Sequence, residues 1–189
     1  MLTVHVCLCV LYIALVTAPS DGSFYPNWIQ CVTDSPLNST VNDSSVMSCM
    51  FSKQQENTVL RVAWDGNIAV LGCDNCCMRW FVTINSEECS DPGPIDIALR
   101  QDLTEIDQAD RFDEYRPASV VGFCRGSTSG SFSAGTHTIS LSVGPCKGSE
   151  GLDFSTSDVL TGYNSVSRFI VEEFPDENRQ QCSDGRVSP

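Results

Sequence analysis

The chain has 189 residues, 24 Asp and Glu against 11 Lys and Arg, and a formal charge of −13 at pH 7. That balance lacks the basic footprint a phosphate backbone demands, which argues against nucleic acid and against strong non-specific attraction to anionic lipid or sulfated glycan. Eleven cysteines are hard to keep reduced and are ordinary in an oxidising compartment.

Val6 to Val16 is an unbroken apolar run, followed by Val16-Thr17-Ala18 and the polar Pro19-Ser20-Asp21-Gly22. The run is shorter than the about 20 residues that cross a bilayer. It reads as a secretory signal over residues 1–18, with no membrane insertion expected. A short leader (19–26), a disulfide-rich β domain (27–175) and a polar tail (176–189) follow. About 170 residues would remain after cleavage, enough for one domain with a sizeable core. Asn38-Ser39-Thr40 and Asn42-Asp43-Ser44 are N-glycosylation sequons beside Pro36, in a stretch that reads as an exposed loop.

Strand patterns dominate from there. Thr58 to Trp64 places Leu60, Val62 and Trp64 on one face. Asp65-Gly66-Asn67 then predicts a hairpin turn before Ile68 to Leu71. Arg79 to Ile84 aligns Trp80, Val82 and Ile84, and Pro94 to Arg100 turns Ile95, Ile97 and Leu99 inward. Ser119 to Cys124, Thr136 to Val143 and Ser165 to Phe174 complete the set. Gln101 to Arg116 is acidic and fits either a short helix or a long excursion. Gly126 to Gly135 reads as a flexible loop. Short strands between turn signals predict an antiparallel β-sandwich or barrel.

Cys7 and Cys9 lie in the signal. Cys31, Cys49, Cys73, Cys76, Cys77, Cys89, Cys124 and Cys146 form an even set within the domain, and Cys182 is left over for an intermolecular bridge. Eight cysteines allow 105 pairings, and spacing alone does not choose among them. Cys73 and Cys76 are spaced as a redox pair, but in a strand context and not at a helix start. A zinc site would need two further ligands at suitable spacing. Structural bridging is the expectation, with adjacent Cys76 and Cys77 facing opposite ways toward different partners.

No catalytic residue, metal ligand or cofactor is expected. His137 falls in phase with Ile139, Leu141 and Val143 and reads as a packed edge histidine. Glu87-Glu88 and Glu172-Glu173 are adjacent pairs, so their carboxylates should diverge into solvent. Asp102, Glu105, Asp107, Asp110, Asp113 and Glu114 do not match an EF-hand loop and read as a solvated acidic face, with calcium the alternative.

Several segments resemble the C-terminal globular domain of the collagen triple helix repeat containing protein 1 family. They are Asn27-Trp28, Cys31, the run from Leu60 to Asn67, Cys73 with Asn75-Cys76-Cys77, Arg79-Trp80, and Glu88-Cys89-Ser90 with Pro92 and Pro94. Gly162, Asn164 to Arg168, Ile170 and Glu172-Glu173 extend the resemblance to residue 175. It implies a disulfide-stapled jelly roll like the C1q head and a secreted, non-enzymatic glycoprotein. It implies a modulator of planar-polarity Wnt signalling and cell migration, with Wnt, Frizzled or matrix proteins as extracellular partners. It also implies a homo-oligomer, the C1q head being a trimer. A structural matrix component is the alternative function. The family's collagen Gly-X-Y stretch does not occur in this chain.

Expressed in eukaryotic cells, the protein should reach the medium and lose mass on glycosidase treatment. The double substitution Asn38→Gln, Asn42→Gln should abolish that loss, read by gel mobility of the secreted product.

Overall fold

Leu60, Val62 and Trp64 are each fully buried, as their alternation requires. The structure is a computed structural model that describes residues 26–35, 37–40, 45–71, 76–101, 115–148 and 158–176. Every regular element among them is a strand. In chain order these are β1 (Asn27–Thr33), β2 (Leu37–Thr40), β3 (Met47–Lys53), β4 (Thr58–Leu71), β5 (Cys76–Ile84) and β6 (Glu87–Glu88). Then come β7 (Asp96–Gln101), β8 (Arg116–Cys124), β9 (Gly126–Ser127), β10 (Gly130–Ser131), β11 (Gly135–Pro145), β12 (Asp158–Thr161) and β13 (Ser167–Pro175).

One sheet runs β1-β13-β4, with β8 on the far edge of β4 and β12 then β2 continuing beside it. The other runs β3-β11-β5, with β6 and β7 both on the outer edge of β5. All named pairings are antiparallel. The eight principal strands divide as β1-β13-β4-β8 against β3-β11-β5-β7, which is the strand order of an antiparallel jelly roll. Between the sheets lie Leu60, Trp64 and Phe169 from one side and Met78, Trp80, Ile84, Ile139 and Leu141 from the other. The buried Trp80 indole donates to Thr161 Oγ1 at 2.9 Å, so its one polar atom is satisfied across the sandwich.

Two local expectations are corrected. Asp65-Gly66-Asn67 does not turn: β4 runs through it unbroken. A two-residue hairpin needs positive φ, and Gly66 lacks it. Gly66 is present for clearance. A Cβ there would lie 2.7 Å from Ser167 Oγ and 2.8 Å from Trp64 Cζ2. The turn chemistry appears instead at Asn85-Ser86, between β5 and β6, with φ of 54° and 70°. Gly126 to Gly135 contains a small hairpin, β9–β10, and Gly126 has no room for a side chain because a Cβ there would run into Gly130 O. Most of the Gln101 to Arg116 segment lies outside the described residues.

Three bridges join pairs of described residues: Cys31–Cys49, Cys77–Cys146 and Cys89–Cys124. Cys31 (β1) to Cys49 (β3) joins the two sheets, and Cys89 ties the β6 hairpin to the end of β8. Cys77–Cys146 prolongs the β5–β11 pairing, with Cys146 N–H donating to Cys77 O at 3.0 Å. Their sequence separations are 18, 69 and 35 residues. Loops of that size are worth about 3 to 4 kcal/mol each in the chain-entropy account.

Gly66→Ala should therefore destabilise the domain by about 1 to 3 kcal/mol, the usual cost of overpacking. Denaturant titration against the parent protein measures it.

Candidate functional site

The cross-strand register defines a face that no other described element covers. On the outer side of the first sheet, Trp28 (β1) pairs with Glu172 (β13), Glu172 with Arg61 (β4), and Arg61 with Phe123 (β8). The next row is Gln30, Ile170, Ala63 and Val121, and the third is Val32, Arg168, Asp65 and Ser119. Directly paired residues share a face, so these rows form one surface. It exposes Trp28 (61%), Val32 (53%), Val121 (55%) and Phe123 (46%). Phe174 joins it, its ring edge-on to Phe123 at 6.1 Å. The four charges on the face answer one another: Arg61 with Glu172, and Arg168 Nε with Asp65 Oδ2 at 3.0 Å.

At one end of this face the segments around Asp65-Gly66-Asn67 and Asn164 to Arg168 meet. Asn67 Nδ2 donates to Tyr163 O at 2.8 Å, and Gly162 N–H donates to Asn67 O at 2.9 Å. Beside them lies a shallow cleft of about 370 Å³, lined by Asp65, Pro117, Ser119, Ser165, Val166 and Arg168.

The opposite sheet carries a groove of about 640 Å³, with Phe81, Thr83, Ser86, Glu87, Glu88 and Lys147 in its walls. Arg79 anchors it, donating to Glu88 at 2.5 and 2.9 Å and to Asp96 at 3.0 Å, with its guanidinium 4.2 Å from the Phe81 ring centre. The hydrogen bond to Glu88 stabilises the charged guanidinium, and the same bond holds the Glu88 carboxyl below the usual range. Glu87 diverges from Glu88 and accepts from Ser127 and Ser129, which lowers its carboxyl too.

The second adjacent pair departs from expectation. Glu172 faces outward, but Glu173 is buried at 2% exposure. It accepts from Asn27 Nδ2 (2.6 Å), Thr58 Oγ1 (2.6 Å), Gln54 N–H (2.8 Å) and Gln55 N–H (2.9 Å). Burial pushes this carboxyl up, and the four donors outweigh burial and hold it below the ordinary range. Lys53 is buried next to it, donating to Gln55 O and Glu56 O, and burial lowers its ammonium below the usual value against the attraction of Glu173. The cluster ties the β3–β4 turn to β1 and β13. No charge pattern in the sequence distinguishes Glu173 from Glu172; only strand phase, Phe169-Val171-Glu173, could have found it.

His137 is buried at 6% exposure near the start of β11, opposite Phe51 of β3 and two residues outside the β5 ladder, which begins at Ile139. Cys31, Cys49, Cys77, Cys89, Cys124 and Cys146 are bridged as above, and Cys76 is disulfide-bonded as well. Cys77 and Cys76 thus have different partners. Asn38 lies on strand β2. Asn42, Cys73, Cys182 and the acidic residues from Asp102 to Glu114 lie outside the described residues. Among the described residues no group of three or more His, Cys, Asp or Glu is placed to hold a metal ion.

A jelly roll with bridges between its sheets defines a disulfide-stapled β domain of the extracellular kind. The chain matches the CTHRC1 C-terminal domain over residues 23–171 and belongs to that family. Two solved structures are also similar at low identity. The infectious bursal disease virus VP2 subviral particle has 12% identity and a TM-score of 0.36, covering 91% of this chain and 38% of that one. Desmodium yellow mottle tymovirus has 9% identity and a TM-score of 0.23, covering 95% and 97%.

Glu173→Gln should cost about 1.5 to 3 kcal/mol at neutral pH, the range for hydrogen bonds to a charged group. Because the folded-state carboxyl titrates below its unfolded value, its contribution is full above about pH 4.3 and is lost as pH falls through the folded value. Denaturant titrations of both proteins from neutral to acid pH should converge at the acid end.

Proposed function

We propose that this chain is a secreted glycoprotein that acts at the cell surface or in the matrix without chemical turnover, by holding other proteins together. Membership of the CTHRC1 C-terminal domain family supports modulation of planar-polarity Wnt signalling and of cell migration as its setting. The observation that carries the reading is the outer face of the β1-β13-β4-β8 sheet. Exposed Trp28, Val32, Val121 and Phe123 make it apolar, while its four charges are paired and sum to zero. On a chain of net charge −13, a neutral apolar face is the place where two copies approach with least repulsion. The occupant is therefore a second copy of this chain, in an oligomer that needs no collagen segment. Self-association multiplies weak receptor contacts by roughly 10²- to 10⁴-fold where geometry allows.

Val121→Glu places an unpaired charge in the middle row of the face, on a side chain already exposed. Light scattering should find the parent protein oligomeric and the variant monomeric, with unchanged circular dichroism. Binding to immobilised Wnt and Frizzled ectodomains should weaken in step with the loss of oligomer. A parent protein that is monomeric and binds neither would overturn this function and favour a structural matrix component.

A further inference from the structure

His137 sits where its surroundings dictate which nitrogen carries the proton. Asn85 follows the last β5–β11 pair, Ile84 with Ile139. Its backbone N–H donates to Thr138 O at 2.8 Å, and Thr138 N–H donates to Asn85 Oδ1 at 3.0 Å. A backbone N–H can only donate, so this second contact sets the orientation of the Asn85 amide. The amide nitrogen then faces the ring, with Nδ2 2.9 Å from His137 Nδ1. An amide NH₂ offers only hydrogens, so Nδ1 must present a lone pair. The ring proton lies on Nε2 and donates to Ser133 O at 2.8 Å. Phe132 covers the ring edge-to-face at 5.5 Å.

This arrangement admits the neutral imidazole alone. A proton on Nδ1 would face the hydrogens of Asn85 Nδ2. The amide cannot flip in response, because Thr138 N–H holds its oxygen. β11 carries no other titratable side chain. On β3, Phe51 lies opposite His137, and Lys53 stands two residues along on the same side. Glu173, from β13, is taken up by Asn27, Gln54, Gln55 and Thr58. Glu87, two residues past Asn85, is held by Ser127 and Ser129. No described carboxylate bonds to the imidazole to compensate its charge.

What the latch holds is a conformation that needs holding. Asn85 and Ser86 are both in the left-handed region, at φ of 54° and 70°, which residues other than glycine keep only when their surroundings over-determine it. Ser86, Glu87, Glu88 and Ser90 form one wall of the groove on the second sheet. Imidazole is the side chain whose ordinary titration falls between pH 5 and 8. We propose that His137 is an acid-sensitive latch: protonation of Nδ1 breaks the bond to Asn85, frees the Asn85–Ser86 turn and loosens the Ser86–Ser90 wall of the groove. The latch is independent of the function proposed above and operates in the isolated protein.

The test is nitrogen-15 NMR with amide exchange on the full chain. At pH 7.5 the His137 ring should be the Nε2–H tautomer. Between pH 7.5 and 5.0, exchange at Asn85, Glu87 and Thr138, corrected for the intrinsic chemical rate, should accelerate at least tenfold. In His137→Asn, whose Oδ1 offers an acceptor near the place of Nδ1 but gains no proton, the corrected rates should stay flat. In Asn85→Ala they should be fast at both pH values. An Nδ1–H tautomer, an unchanged rate in the parent protein, or equal acceleration in His137→Asn overturns the latch. The tautomer measurement decides the matter on the parent protein even where a variant does not fold.

Discussion

Gly66 lies midway along β4, and the absence of a side chain there lets the Trp64 indole and the Ser167 hydroxyl close over the strand. That clearance allows β4 to continue for 14 residues and to serve three neighbours. It pairs with β8 along one edge, and with β13 and then β12 along the other. Ile68 is the crossing point, opposite Arg116 on one side and Thr161 on the other. The first sheet is assembled around this strand. The continuous outer face exists because β4 does not turn where its Asp-Gly dipeptide invites it to.

The two outer faces of the sandwich have different chemistry. That of the first sheet is aromatic and aliphatic, with its charges paired locally. That of the second is rich in hydroxyls: Ser48 pairs with Ser140, Ser140 with Thr83, and Thr83 with Glu88. Ser48 and Ser140 hydroxyls are 3.0 Å apart. Thr83, Ser140 and Ser142 of that face are themselves buried, whereas Trp28, Val32, Val121 and Phe123 stand exposed on the first sheet, and an exposed apolar face gains by being covered. The outer face of the first sheet is therefore the side suited to association.

Strand positions were readable because a half-buried strand must alternate, and Trp80-Val82-Ile84 and Ile139-Leu141-Val143 do so without interruption. A sandwich or barrel as a class follows from such strands and the turn signals between them, and the jelly roll in particular is what the family resemblance implies. The Asp65–Asn67 turn was misread because the two-residue signal is local, while the competing force, packing of Trp64 and Ser167 over Gly66, is tertiary. Glu173 was misread for a related reason. A carboxylate is assigned to solvent by default, and the four donors that make its burial tolerable come from Asn27, Thr58 and the backbone of Gln54 and Gln55, far away in sequence. The outer face needed the register itself, because Trp28, Val121 and Phe123 come from strands that share no local pattern. The disulfide partners likewise depend on which strands become neighbours.

Asn27 pairs with Glu173, so the chain enters and leaves the first sheet side by side. Tension applied across residues 27 and 173 would therefore peel β1 from β13 one rung at a time, beginning with the Asn27–Glu173 hydrogen bond. Four residues in, the peeling front reaches Cys31, which is bonded to Cys49 on the opposite sheet. There the load passes from hydrogen bonds to a covalent link. The β1 end thus has a short compliant stretch followed by a hard stop, while the β13 end loads β4 from the outset through the Glu173–Leu60 rung.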